Sequence, residues 1–157
     1  MKVLKNTIYN LNIFQTALVA GFMTFYLIGL GRYFNFLLDN NFTEGFTKYY
    51  SLFRQSSNVV TVLNIFLGMQ LIIALLSLVL NFRRQPLPGQ IIALLAPIIL
   101  MAIHSITGFS QSENLINSGT NLSDINIANY LKYNIPLHII YSIIYSLGSL
   151  LLIFQKK

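Results

Sequence analysis

The chain has 157 residues, 55% of them apolar and only 9% charged, a balance that excludes an ordinary soluble domain and suits a single domain whose solvent is lipid. Its net charge of +6 does not point to nucleic acid, because no basic face interleaved with aromatics is present. Cysteine is absent, which excludes disulfides, thiolate metal sites and cysteine nucleophiles.

Four apolar runs, Ile13–Leu30, Val59–Leu80, Ile91–Phe109 and Ile135–Phe154, contain no Asp, Glu, Lys or Arg. A helix that crosses a bilayer needs about 20 such residues. The runs predict an all-α fold, an up-down bundle of four transmembrane helices over about 12–38, 43–81, 90–109 and 134–155. Lys2 and Lys5 before the first run resemble a secretory leader, but the run is long and no Ala-x-Ala pattern follows, so the first helix is expected to be retained. Lys2, Lys5, Arg83, Arg84, Lys156 and Lys157 lie at the termini and in the middle connection. The Lys/Arg bias of cytoplasmic loops then predicts that both termini and the 81–90 connection are cytoplasmic; the expected location, which that bias does not itself give, is a bacterial inner membrane, crossed several times. Two glycosylation sequons, beginning at Asn41 and Asn121, fall in the outer connections of an Asn-rich chain, where chance accounts for them.

In chain order, the first helix continues past Gly31 through Tyr33, Phe34, Phe36, Leu37 and Leu38, and the turn is expected at Asp39-Asn40-Asn41. Phe42, Phe46, Tyr49, Tyr50 and Phe53 then recur at helical spacing. They read either as an amphipathic lead-in to the second helix or as an aromatic belt at the headgroups. The connection from Asn81 to Gly89, broken by Pro86 and Pro88, predicts that helices two and three are antiparallel neighbours. Residues 110–129 are rich in Asn, Ser and Gly and are expected to form a mobile loop or lid. Pro97 is expected to kink helix three, and Pro136 to sit in the first turn of helix four.

His138, Tyr141, Ser142, Tyr145, Ser146 and Ser149 share one face of helix four, and Ser57, Thr61, Asn64 and Gly68 one face of helix two. Helix one offers Ala17, Gly21, Thr24 and Gly31. Small and weakly polar residues at this spacing serve close packing in membranes, so these faces are expected to look inward. Arg32, Asn58, Asn64, His104 and His138 lie toward the outer ends of their helices. Polar groups at that depth line a cavity or pair with one another. One outward-opening pocket is the simplest explanation, with His104 and His138 as candidate bases and Arg32, Asn58, Asn64, Asn114 and Tyr141 as candidate binding residues. The alternative is that Arg32 snorkels and each histidine bonds a nearby carbonyl.

No nucleophile elbow, phosphate loop, His-Glu-x-x-His or intramembrane carboxylate pair is present. No cofactor or metal is expected, although His104 and His138 could clamp a haem. The expected partners are the bilayer, a lipophilic small molecule and, in a subunit role, other membrane chains, with no nucleic acid.

The order of features resembles the anthrone-oxygenase-like family of small four-helix membrane proteins, over nearly the whole chain. The likeness rests on Ala20-Gly-Phe-Met-Thr-Phe-Tyr in helix one, Asn58 and Asn64 in helix two, Phe109 followed by Asn114 after helix three, and Tyr130-Leu-Lys-Tyr before the last helix. The resemblance implies cofactor-free oxidation of an anthrone to an anthraquinone, which needs a base, a role for His138 or His104. The family's last helix usually opens with Trp-Asn followed by Arg, whereas this chain has no tryptophan; His138 falls about where the Asn lies and Tyr141 about where the Arg lies. The competing readings are a non-catalytic subunit of a larger membrane complex and a haem or small-ligand carrier.

Overall fold

The computed structural model describes residues 2–83 and 85–154, the Val60 side chain excepted. Among these the regular structure is entirely helical: α1 (Lys2–Ile28), α2 (Leu30–Asp39), a π-helical turn (Gly45–Tyr50), α3 (Ser51–Ser56), α4 (Val59–Asn81), α5 (Leu87–Ile106), α6 (Phe109–Asn117) and α7 (Asp124–Phe154). Four stretches, Lys2–Asp39, Thr61–Asn81, Leu87–Ile106 and Asp124–Phe154, are long and apolar enough to cross a membrane. The expected helix end at 155, together with Arg84, Lys156 and Lys157, lies outside the described residues.

Several boundaries differ from the sequence expectation, each for a local reason. The first helix starts at Lys2 rather than near 12 and is interrupted only at Gly29. Its turn falls at Asn40-Asn41, where Asn41 adopts φ +58°, a left-handed conformation that Asn tolerates better than most residues. The segment 43–81 is not one helix: Asn58, at φ +49°, breaks it before α4. In the aromatic stripe, Phe46 is buried and Tyr50 half-buried, while Phe42, Tyr49 and Phe53 are exposed.

The stretch 110–129 is not a loop. Phe109, Ser112, Ile116 and Asn117 form the buried stripe of α6, and only a short link separates it from α7. α7 begins at Asp124 rather than 134, because Tyr130 and Asn134 continue the buried face of Leu137, His138 and Tyr141 backwards by two turns. Pro136 therefore lies inside a helix, not in its first turn.

The four long helices meet at one level. Gln70 on α4 donates from Nε2 to Thr16 Oγ1 of α1 at 3.0 Å and to the Ala93 carbonyl of α5 at 3.2 Å. A Cβ at Gly148 of α7 would come within 3.0 Å of Ile92 and 3.6 Å of Thr16. Pro97 supplies the reason for one of these bonds: it has no N–H to give to the carbonyl four residues earlier, which is that of Ala93. The Gln70 amide fills that vacancy, and α5 remains helical through Pro97.

On the side of the termini the helices stay close. Tyr9 donates to the Leu152 carbonyl at 2.9 Å, Ser77 to Gln90 Oε1 at 3.2 Å, and Asn81 Nδ2 to the Lys5 carbonyl at 3.0 Å. On the other side an aromatic cluster fills the space: Phe34 packs on Phe46 and Tyr50, and Phe109 on Tyr130.

The small-residue face of α7 looks inward as expected, whereas those of α4 and α1 largely do not. On α7, Tyr141, Tyr145 and Ser149 are buried and Ser142 donates to or accepts from Thr24 at 2.6 Å. Ser57, just before α4, and Thr61 and Asn64 on it are exposed; the buried face of α4 is Gln70, Ala74, Ser77 and Asn81, at i, i+4, i+7 and i+11. Ala17 and Gly21 on α1 also face outward.

Two glycines separate tight from open packing. A Cβ at Gly89 would sit 2.8 Å from the Leu152 backbone nitrogen, where no side chain can swing away, whereas one at Gly21 meets nothing within 4 Å. Gly89→Ala is expected to lower the unfolding free energy in mild detergent by about 1–3 kcal/mol. Gly21→Ala should leave it unchanged or raise it by up to about 1 kcal/mol. Equal values for the two variants would refute the close α5–α7 contact.

Candidate functional site

Away from the termini the long helices spread apart around a cavity of about 390 Å³. Its floor is apolar, with Phe22 and Met23 from α1, Leu67 from α4, and Leu100 from α5. Its upper part is polar. His104 enters from α5, His138 and Tyr141 from α7, Arg54 from α3, and Glu113, Asn114 and Asn117 from α6.

Of the residues singled out in the sequence, Asn64, His104, Asn114, His138 and Tyr141 line this cavity. Arg32 does not: it is exposed on α2. Asn58 does not either, since its turn carries it to a separate shallow cleft with Ser51, Arg54, Gln55, Thr61 and Ser118. Tyr26, Arg54, Glu113 and Asn117 line the cavity without having been singled out. The α6 residues were legible in principle, because Ser110, Glu113, Asn114 and Asn117 fall at i, i+3, i+4 and i+7 on one helical face.

His138 is held on two sides. Its ring stacks on Tyr26 with centroids 4.0 Å apart, and its Nδ1 lies 2.7 Å from the Asn134 carbonyl. A carbonyl only accepts, so Nδ1 carries the proton and, in the neutral ring, Nε2 is the free proton acceptor. Tyr26 is fixed in turn. Its hydroxyl donates to Asn134 Oδ1 at 3.1 Å and lies 3.1 Å from the Tyr130 hydroxyl. Asn134 Nδ2 donates to the Gly31 carbonyl at 3.1 Å and to Asn35 Oδ1 at 2.8 Å. Gly31 is required here, because a Cβ would come 2.7 Å from the Tyr26 ring. The break at Gly29 thus brings α2 back over Tyr26 and completes the cage.

His104 is held more loosely. Its ring lies edge-on to Phe109 at 5.0 Å and tilted against Tyr141 at 5.3 Å. Its Nδ1 is 3.9 Å from Glu113 Oε2, an electrostatic contact rather than a hydrogen bond. His104 Nε2, the Tyr141 hydroxyl and Asn117 Oδ1 are buried with no hydrogen-bond partner among the described residues. Such groups cost about 1–3 kcal/mol each when left unpaired; Asn12 Nδ2, Gln70 Oε1, Asn81 Oδ1 and the Tyr145 hydroxyl are unpaired elsewhere among the described residues, but these three belong to residues bordering open volume that a hydrogen-bonding guest can enter. Arg54 spans the top by donating from an η nitrogen to Asn114 Oδ1 at 3.0 Å.

Burial pushes the Glu113 carboxyl up to about 7, with the Arg54 guanidinium opposing it. Burial also raises the Tyr50 phenol, again opposed by Arg54. The cavity holds His and Glu as possible ligands, but among the described residues no cluster of three or more His, Cys, Asp or Glu is arranged to hold a metal ion.

The shift at Glu113 has a definite sign. Its folded pKa lies above the unfolded value, so between about 4.5 and 7 the unfolded chain gives up the proton more readily and stability falls as pH rises. Melting of the detergent-solubilised protein is therefore expected to drop by about 5 °C across that window. Glu113→Gln should remove most of the drop while leaving the titration of other groups in place. An unchanged pH profile in this variant would show that the pKa of the half-buried Glu113 carboxyl is not raised.

No family model matches this chain, and no curated protein and no solved structure matches it either.

Proposed function

We propose that this protein is an up-down four-helix bundle of a bacterial inner membrane, with both termini cytoplasmic, and that its outward cavity binds and oxidises a lipophilic aromatic substrate of the anthrone type. The observation that supports the chemistry best is the fixed tautomer of His138, with Nδ1–H committed to the Asn134 carbonyl and Nε2 left as a base on a cavity wall. An apolar floor suits the fused rings of such a substrate, and Tyr141 supplies an unpartnered hydroxyl beside both histidines.

In this reading Nε2 of His138 takes a proton from the ring methylene opposite the substrate carbonyl. The Tyr141 hydroxyl donates to the carbonyl oxygen as negative charge builds there. The substrate anion reduces molecular oxygen and forms a carbon–oxygen bond. Loss of water from the resulting hydroperoxide leaves the second carbonyl, so one oxygen atom ends in the product and the other in water. The protein is asked only to generate and stabilise the anion, and oxygen is the oxidant.

Exposed Ala17, Gly21 and Thr61 favour a second reading, a subunit packed against another membrane chain. Gly21 and Gly68 have nothing within 4 Å of an added Cβ, which leaves room for close helix approach there.

Liposome-reconstituted protein given anthrone and oxygen is expected to form anthraquinone above the uncatalysed rate. His138→Ala should lower that rate by about 10²–10⁴-fold with an unchanged monodisperse elution profile. Absence of turnover in the intact chain would leave the subunit reading, and a Soret band lost in both His104→Ala and His138→Ala would indicate a haem carrier instead.

Orientation is tested separately. Arg83→Cys and Thr120→Cys occupy exposed positions at opposite ends of the long helices. In intact cells a membrane-impermeant thiol reagent is expected to label Thr120→Cys and to spare Arg83→Cys. The opposite pattern would invert the topology.

A further inference from the structure

Three flanks of the cavity are closed by identifiable contacts, and one exposed hydrogen bond spans its top. Between α1 and α7, Thr24 meets Ser142 at 2.6 Å and Tyr26 donates to Asn134 at 3.1 Å. Between α1 and α4, the Phe22 and Phe66 rings pack edge to face at 6.4 Å and Gln15 donates to the Phe66 carbonyl at 3.2 Å. Between α5 and α7, His104 lies against Tyr141. Across the top, Arg54 bonds Asn114.

The fourth flank differs. Among the described residues the hydrogen bonds between α4 and α5 are those of Gln70 with Ala93 and of Ser77 with Gln90, both below the cavity. Above them three cavity residues of these two helices are also outward-exposed: Asn64 on α4, and Ser105 and Met101 on α5, Met101 to 63%. The α7 wall has no such residue, since His138 and Tyr141 are 6% and 1% exposed. A side chain that lines a cavity and is also exposed marks an opening; Asn114 marks one at the top beside its bond to Arg54, and Asn64, Ser105 and Met101 mark a second on this flank. Asn64 and Ser105 each lie within a turn of the end of their membrane-crossing stretch, and Met101 less than two turns from it, so the opening faces the region where headgroups give way to acyl chains.

We propose that this opening is a lateral portal, and that the cavity is loaded from within the bilayer by an amphiphile with a flat apolar body and a small hydrogen-bonding head. The body fits a floor with rings on several walls, Phe22 and Tyr26 from α1 and Phe66 from α4. The head meets the unpartnered His104 Nε2, Tyr141 hydroxyl and Asn117 oxygen above. A volume of about 390 Å³ falls within the range of about 300–1,000 Å³ typical of small-molecule sites. The Arg54–Asn114 bond only narrows the exposed top, and an apolar body partitions into lipid rather than water, which makes the flank its path. The proposal rests on the ligand-site reading above but not on its oxidation chemistry.

The chain contains neither cysteine nor tryptophan, so single introduced residues report cleanly. Leu67→Cys places a thiol on the cavity floor, and N-(1-pyrenyl)maleimide is a flat apolar probe with a hydrogen-bonding imide head. In phosphatidylcholine liposomes it is expected to label Leu67→Cys at least tenfold faster than a sulfonated, membrane-impermeant maleimide does. Adding Asn64→Trp and Ser105→Trp should slow the pyrenyl reaction at least tenfold, while Gly21→Trp on the outer face of α1 should not. Arg54→Ala should speed only the sulfonated reagent. Met23→Cys, on the α1 wall, repeats the series if Leu67→Cys does not assemble, and labelling in SDS controls for thiol competence.

Equal rates for the two maleimides, no effect of the portal tryptophans, or no labelling by either reagent would overturn the portal. Because labelling is read without turnover, these outcomes are distinct from failure of the oxygenase reading.

Discussion

A carbonyl without a donor is expensive in a layer that holds no water, and Pro97 creates one at Ala93. The Gln70 amide that reaches it also bonds Thr16, so a single side chain on α4 ties α5 to α1, with Gly148 admitting α7 to the same level. Apolar packing alone gives membrane helices little preference for one neighbour over another, because lipid tails are as apolar as leucine. A polar group that must be satisfied at one depth removes that freedom. The register of the four long helices follows from this crossing, and the helices stay close on the side of the termini and spread on the other.

The spreading side is where the cavity forms, and its shape depends on the break at Gly29. A straight continuation of α1 would carry the chain away from the cavity. The break lets α2 fold its Gly31 carbonyl and Asn35 amide onto Asn134, which in turn holds the Tyr26 hydroxyl. Tyr26 then presents a flat surface to His138 at stacking distance. His138 is thus positioned by groups from three helices, whereas His104 rests against rings and a carboxylate that does not reach hydrogen-bonding distance.

The four long helices, the turn at Asn40-Asn41 and the proline-broken hairpin before α5 were legible because they depend on length, hydropathy and local turn chemistry. Asn114 lies outside the apolar runs and was singled out only through the family resemblance, whereas Asn64, His104, His138 and Tyr141 were legible as cavity residues because a polar side chain in an apolar run has few places to go. Arg32 and Asn58 misled for the same reason: near a helix end, headgroups and water offer an alternative that deeper residues lack. The crossing was missed because Gln70, Gln15 and Gln90 are uncharged and leave a hydropathy window almost unchanged, yet each is buried and bonded. Helix α6 was obscured by composition. Its Ser, Asn and Gln content reads as loop, and only the spacing of Phe109, Ser112 and Ile116 shows a buried face.

The two histidines differ in the way a division of labour requires. A base must present one nitrogen in a fixed tautomer, and the Asn134 carbonyl imposes that on His138. A group that recognises a guest needs a polar atom still unsatisfied when the guest arrives, and His104 Nε2 and the Tyr141 hydroxyl meet that condition. Satisfying those atoms internally would have stabilised the empty protein and removed its means of holding anything. Their being left unpaired costs stability in the same layer where Gln70 spends an amide to avoid such a cost. Gln70 Oε1 and Asn12 Nδ2 are also buried without a partner among the described residues, but they lie away from the cavity, whereas His104 and Tyr141 border open volume in which a guest can bond them.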